Sequence, residues 1–261
     1  MKQIFFSLVT VATLTACSGI DADDRFIEVP GIVPERTVLI EDYTGQNCVN
    51  CPAAHEVLEQ LQAQYPDNVI PVSIHAGHFG VSVDRTVYPD YVGLMQPEGD
   101  KMADRWNITG YPMGVINRSS LLEVDAWAEA VRAQLATPSY VGIDLEASIS
   151  GSDINISATF TPSADITATL HVWIVESGII AFQRDLSTRI PDYRHDNVYR
   201  CAVNGFEGEQ LNLSAHLHHT ATFSQTVRDS STERWNTDNL SVVAFLETPQ
   251  GVLQAAIAKV K

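Results

Sequence analysis

The chain has 261 residues, with 16 Lys and Arg against 32 Asp and Glu, a formal net charge of -16 with histidine neutral. That balance excludes a nucleic-acid binder, because phosphates need a basic footprint. Apolar residues make up 45%, enough for a packed core and too many for a generally disordered chain.

The N-terminus reads as a targeting segment rather than as fold. Met1-Lys2-Gln3 is a short basic start, and IFFSLVTVATL at 4–14 is apolar but too short to span a bilayer as a stable anchor. LTAC at 14–17 resembles the lipobox of bacterial lipoproteins, in which the cysteine, here Cys17, is acylated and becomes the first mature residue. The resemblance implies a signal peptide over 1–16, a tether over 17–36 and a lipid anchor on Cys17 that attaches the protein to the membrane without spanning it. Ser18, rather than Asp, follows the cysteine, which by the bacterial sorting rule implies the outer membrane. The acids Asp21, Asp23 and Asp24 resemble a Bacteroidetes-type surface-export tag and read equally well as a solvated tether. The periplasmic or surface-facing side therefore stays open.

From 37 to 137 strand and helix signals alternate. TVLIEDY at 37–43 reads as a buried strand, and Ala54, Val57, Leu58, Leu61 and Tyr65 form a helical stripe that Pro66-Asp67 stops. VIPVSIH at 69–75 and MGVIN at 113–117 are further strands, and Asp125 is placed to cap a helix running to about Ala136. Such alternation predicts βαβ units. After Thr137-Pro138 the period becomes two. Ile143, Leu145, Ala147 and Ile149 face one way, Gly151-Ser152 turns the chain, and Ile154, Ile156, Ala158 and Phe160 repeat the pattern. Further runs at 166–174, 215–227, 240–247 and 252–260 predict a β-sandwich of about seven strands, immunoglobulin-like in outline, over 138–261.

GQNCVNCP at 45–52 holds Cys48 and Cys51. As a structural staple the pair would close only a short loop, worth about 2 kcal/mol in the chain-entropy model. As a zinc site it lacks a second CxxC, so Cys201 or a histidine from elsewhere would have to complete four ligands. As a redox pair it fits its surroundings. It follows a strand and opens a helix, whose first N–H groups favour a Cys48 thiolate. Pro52 suits the first turn, and Cys51 lies one turn behind, placed to resolve a mixed disulfide.

Residues 37–136 resemble the thioredoxin fold, through the CxxC, through Asp42 six residues before Cys48, and through ADRWNITGYPMGVINR at 103–118. The resemblance implies that Asp42 lies buried behind Cys51 as a proton relay. It also implies that the Tyr111–Pro112 bond is cis and that this turn positions an incoming peptide. Asn47 stands where that family carries Trp, and Val49-Asn50 replaces Gly-Pro. The stretch 76–102 is longer than the fold requires, and reads as a lid over the cysteines or as decoration. The lipobox, YTGQNCVNCPAAH at 43–55 and RHDNVYRCAVNGFEGE at 194–209 together resemble the outer-membrane protein 28 family of Bacteroidetes-type lipoproteins. That resemblance implies an outer-membrane location and a surface adhesin or receptor role.

Several histidines are secondary candidates. His55 shares a helix face with both cysteines, as a helper base or as a solvated side chain. His75 and His78 lie where α/β sheets gather sites, or are plain loop histidines. His216 and His218 are predicted on one face of a strand, with no third metal ligand evident. His195, Arg200 and Asn204 read as fixing a turn or a contact between the two halves, and Cys201 as a buried inert thiol.

These readings predict a thioredoxin-like α/β domain followed by an immunoglobulin-like sandwich, lipid-anchored at the outer membrane, with no metal or organic cofactor. The leading activity is thiol–disulfide exchange on extracytoplasmic proteins, with Cys48 attacking, Cys51 resolving, Asp42 relaying the proton, Tyr111 and Pro112 positioning the substrate, and His55 assisting. The alternative is a non-catalytic surface binding protein, an adhesin, receptor or assembly factor, that keeps the fold and its disulfide.

Overall fold

Strand β1 (Val38–Thr44) and strand β2 (Val69–His75) are buried along their whole length and pair in parallel. Helix α1 (Cys51–Gln64) connects them and turns Cys51, Ala54, Leu58 and Leu61 inward, the spacing of one helix face. A computed structural model describes residues 35–84, 92–230 and 232–261. The signal peptide, Cys17 with most of the tether, and residues 85–91 in the long stretch after β2 lie outside the described residues. The described residues belong to one compact unit.

Next come α2 (Pro97–Arg105), the β3 (Met113–Ile116) and β4 (Ser120–Leu122) hairpin, and α3 (Trp127–Leu135). Asp125 does not cap α3. It lies in a short 3-10 turn, Val124–Ala126, that feeds the helix, and Ala126 takes the capping position without a side-chain bond. Trp127 packs on β3 where a side chain at Gly114 would sit 2.4 Å from the indole, so close helix–sheet contact requires glycine there.

The remainder is strand: β5 (Val141–Ser150), β6 (Asp153–Pro162), β7 (Ile166–Glu176), β8 (Ile179–Asp185), β9 (Thr188–His195), β10 (Val198–Ala202), β11 (Glu209–Leu213), β12 (His219–Thr226), β13 (Leu240–Thr248) and β14 (Gly251–Lys259). The run predicted from 215 starts as a strand only at His219. His216 sits before it with φ +60°, so His216 and His218 do not share a strand face.

The predicted fold class, an α/β thioredoxin-like domain followed by a separate immunoglobulin-like sandwich, is not what forms. One mixed sheet runs β14-β13-β7-β10-β2-β1-β3-β4, with β11 also on β7, so strands from both halves share it. The join is β10 alongside β2, where Val198 pairs with Ser73 and the Ser73 N–H donates to Asn197 O at 2.8 Å. The molecule is mostly β, with three α-helices among fourteen strands in the described residues. The physical reason is burial. A strand as apolar as β2 needs a neighbour on each edge, and β1 and β10 supply them. Trp173, Tyr199 and Phe245 from the later strands accordingly pack in one core with Leu39, Ile70 and Val72. On the opposite face of β7 and β13, the three-stranded sheet β12-β6-β5 closes a second core around Phe160, Val172 and Val242. α1 and α3 cover Val38, Ile40 and Ile116.

Buried charge ties the first half to the second. The Arg118 guanidinium donates to Glu41 Oε1 at 2.6 Å and pairs with Glu247, while its cation lies 5.1 Å from Trp173 and 4.7 Å from Phe245. Glu247 also pairs with Arg105 and with His171 Nε2 at 2.9 Å. Removing Arg118 takes the shared cation from Glu41 and Glu247 in a low-dielectric site. Arg118→Met is expected to lower urea-unfolding stability by about 3–5 kcal/mol. The double variant Arg118→Met/Glu41→Gln should recover part of that loss, and additive losses would show that the ions are not coupled.

Candidate functional site

The C-terminal ends of β1 and β2 meet the start of α1, and the loop between β1 and α1 carries Cys48 and Cys51 in a disulfide. Gly45 lets this loop pass the chain at Phe79, whose carbonyl accepts from Asn47 N–H at 2.9 Å. A Cβ on Gly45 would lie 2.5 Å from Phe79 backbone. The long stretch after β2 thus touches the loop at Phe79.

It also holds the Gln46 side chain, which donates to Val92 O at 2.9 Å and accepts from Leu94 N–H at 3.1 Å, and further cover comes from later in the chain. β8 and β9 form a two-stranded hairpin that pairs with no other strand among the described residues and lies across the CxxC loop. Arg184 N–H donates to Gln46 O at 2.8 Å and Leu186 N–H to Val49 O at 3.3 Å. Gln183 Nε2 donates to Cys48 O at 2.8 Å and to Gly45 O at 3.2 Å, and Gln46 Nε2 returns a bond to Phe182 O at 3.2 Å. Both glutamines are fully buried, Cys48 is 2% exposed and Cys51 is 0% exposed. Both cysteines are thus withdrawn from solvent.

Beneath the hairpin is a polar chamber. Paired strand residues point the same way, so Asp42 and Thr44 of β1 and Ser73 and His75 of β2 share a face. α1 adds His55, and β9 adds Tyr193 and His195. His55 Nδ1 bonds the Tyr193 hydroxyl at 2.8 Å, its Nε2 bonds Thr44 Oγ1 at 3.0 Å, and Asp42 Oδ2 stands 3.6 Å from that Nε2. The His195 ring lies 5.4 Å from His75 and 6.4 Å from His55. Both oxygens of Asp42 and both ring nitrogens of His75 are buried without a hydrogen-bond partner.

Burial sets the protonation states. It raises the Asp42 carboxyl to about 8 and lowers His55 to about 4. It lowers His195 to about 3, with His55 adding to the effect. His75 falls well below its ordinary value, first through burial and then through its histidine neighbours. At neutral pH the chamber therefore holds a protonated carboxyl and neutral imidazoles, and the 3.6 Å approach of Asp42 to His55 is a neutral contact rather than an ion pair. Among the described residues no group of three His, Cys, Asp or Glu is placed to hold a metal ion.

The Tyr111–Pro112 bond is cis. Together with Gly110 this turn borders an open groove shared with Asn50, Ala53 and Ala54, beside the helix start that carries Cys51. The fold thus brings Cys48, Cys51, Asp42, His55, Tyr111 and Pro112 around one helix end. Arg200 is elsewhere, in ion pairs with Glu176 and Glu233, and Asn204 fixes a turn through Val172 N and Leu170 O. Burial raises the Cys201 thiol to about 12, so it stays protonated. Gln46, Gln183 and Tyr193 are not legible as site residues, since in IIAFQRD the glutamine opens a polar run after four apolar residues and gives no sign that it is buried. His195 was legible only as part of a family-like run.

The arrangement defines a β-rich protein with a covered disulfide at a sheet end, and no helix among the described residues is long and apolar enough to cross a membrane. A family model described as outer membrane protein Omp28 matches residues 99–261, more than half of the chain, and the chain belongs to that family. The match begins beyond the CxxC. Among solved structures, the chain is similar to a crystal structure of an Agrobacterium tumefaciens protein, at 14% identity and TM-score 0.52, covering 86% of this chain and 95% of that one. That likeness is one of fold. A crystal structure of a domain of the outer membrane lipoprotein Omp28 from Porphyromonas gingivalis is also similar, at 19% identity and TM-score 0.35, covering 47% of this chain and 89% of that one. No curated protein matches the chain.

Asp42 titrates near pH 8 folded and near 3.8 as a free carboxyl. Across that window the unfolded chain ionises while the native state keeps its proton, so stability falls as pH rises and the full cost is present above 8. Asp42→Asn should raise the unfolding free energy, and with it Tm, by an amount that grows between pH 5 and 8 and then levels off, on the order of a few kcal/mol at the plateau. A gain independent of pH in calorimetric melts would contradict the buried, protonated carboxyl.

Proposed function

We infer that this chain is a lipid-anchored outer-membrane protein that works by binding, with Cys48–Cys51 serving as a structural disulfide. The observation that carries this is the cover: both cysteines are buried and their loop carbonyls are occupied by Gln183, Arg184 and Leu186. A nucleophilic cysteine needs partial exposure, and here exposure is withdrawn. Membership of the Omp28 family, matched on residues beyond the CxxC, supports the same reading. The anchor is Cys17, and the role is that of an adhesin, receptor or assembly factor.

A second reading, thiol–disulfide exchange on extracytoplasmic protein thiols and disulfides, draws support from one observation. Asp42, buried and unpartnered, stands beside His55 at the helix end that carries the cysteines, where a proton could be given to a leaving thiolate. In that reading Cys48 attacks, Cys51 resolves, and Tyr111 and Pro112 hold the substrate.

Insulin reduction separates the two. The purified protein with dithiothreitol is expected to give no acceleration over dithiothreitol alone; acceleration that Cys48→Ser abolishes would overturn the binding reading. In cells, labelled palmitate should enter the wild-type protein and not Cys17→Ala, and labelling of the variant would remove the anchor.

A further inference from the structure

We propose that the β8–β9 hairpin, residues 179–195, is a strap that opens as a unit, and that its opening is the step that admits a thiol to the Cys48–Cys51 disulfide. The proposal goes beyond the binding reading and does not depend on it.

Three features carry it. First, among the described residues the hairpin's strands pair only with each other, and an isolated two-stranded ribbon is marginally stable in water. Second, its apolar hold is small. Ile179 and Ala181 pack with Leu94 and Val198 in a minor cluster separate from the three large cores, and Phe182 is buried under the Arg189 guanidinium, while Ile180 is 56% exposed and Leu186 is 74% exposed. Third, it is held by polar bonds that water can replace on opening: Gln183 to Cys48 O and Gly45 O, Arg184 and Leu186 to the loop backbone, and Tyr193 to His55. Segments with few buried apolar contacts open below the global unfolding free energy. The strands beneath, β1 and β2, are buried throughout and stay folded.

With the strap lifted, the chemistry balances as ordinary exchange with a dithiol reductant. One reductant thiolate attacks Cys48 Sγ, the Cys48–Cys51 bond breaks, and Cys51 leaves as a thiolate that takes up a proton. The second reductant thiol then attacks the mixed disulfide and releases Cys48. The dithiol is oxidised by two electrons to its own disulfide, and the protein pair is reduced to two thiols.

The test is the rate of disulfide reduction in the full-length protein by excess dithiothreitol at fixed pH, read by maleimide capture and mass spectrometry. Gln183→Ala and Tyr193→Phe are each expected to speed reduction about fivefold to tenfold by removing strap bonds, while the global urea midpoint moves little. For the wild type, low urea should raise the reduction rate with a slope well below that of global unfolding. The amides of Arg184 and Leu186 should exchange hydrogen together and ahead of those in β1. If reduction instead follows the global unfolding slope, or both variants react at the wild-type rate, the strap is not the gate. Should either variant fail to fold, the wild-type urea slope and hydrogen exchange decide alone. Insulin turnover would overturn the binding reading and leave the strap untouched; global-unfolding kinetics would overturn the strap and leave the binding reading untouched.

Discussion

The pairing of β10 with β2 is the constraint on which the rest depends. Once Val198 lies beside Ser73, the strands of the second half extend the sheet of the first. The chain entering β10 must then approach over the ends of β1 and β2. That approach is the β8–β9 hairpin, and those ends carry the CxxC loop, Asp42 and His75. A single edge contact therefore builds the sheet, shares the core and covers the disulfide.

The two faces of the joined sheet treat charge in opposite ways. On one, Glu41, Arg118, Glu247 and His171 form a network with partners for most of its polar atoms, and against burial the His171 bond and the Arg118 cation hold the Glu247 carboxyl at about 2. On the other, Asp42 has no such partner, and burial keeps its carboxyl protonated near neutral pH. The contrast follows from the partners present rather than from depth, since Glu41 and Asp42 are adjacent and both fully buried. The neutral chamber suits a site kept closed. Charging His55 or His195 costs desolvation as well as repulsion between rings 6.4 Å apart.

Local elements were legible because they follow local pattern. The helical stripe from Ala54 to Leu61 and the alternation at 143–160 each report burial of one face. Neighbours were not legible. The change of period near 137 marks a change in local structure and not of fold, and nothing in β2 says which strand fills its second edge. The same limit hid the strap. Residues 179–195 carry no regular period, and only the fold shows that Gln183 and Tyr193 point at the cysteine loop and at His55. The family was read from the lipobox, from 43–55 and from 194–209, and of these the family match covers 194–209. That last run fixes His195 and β10, the elements that meet the first half.

The central claim is that Cys48–Cys51 is a covered structural bond in a binding protein. Its reduction potential, from equilibration of the full-length protein with defined dithiol buffers, tests this most directly. The account expects a value below about -300 mV, where the native fold holds the bond against reduction. A value near about -200 mV or higher, the range of catalytic and labile pairs, would contradict it.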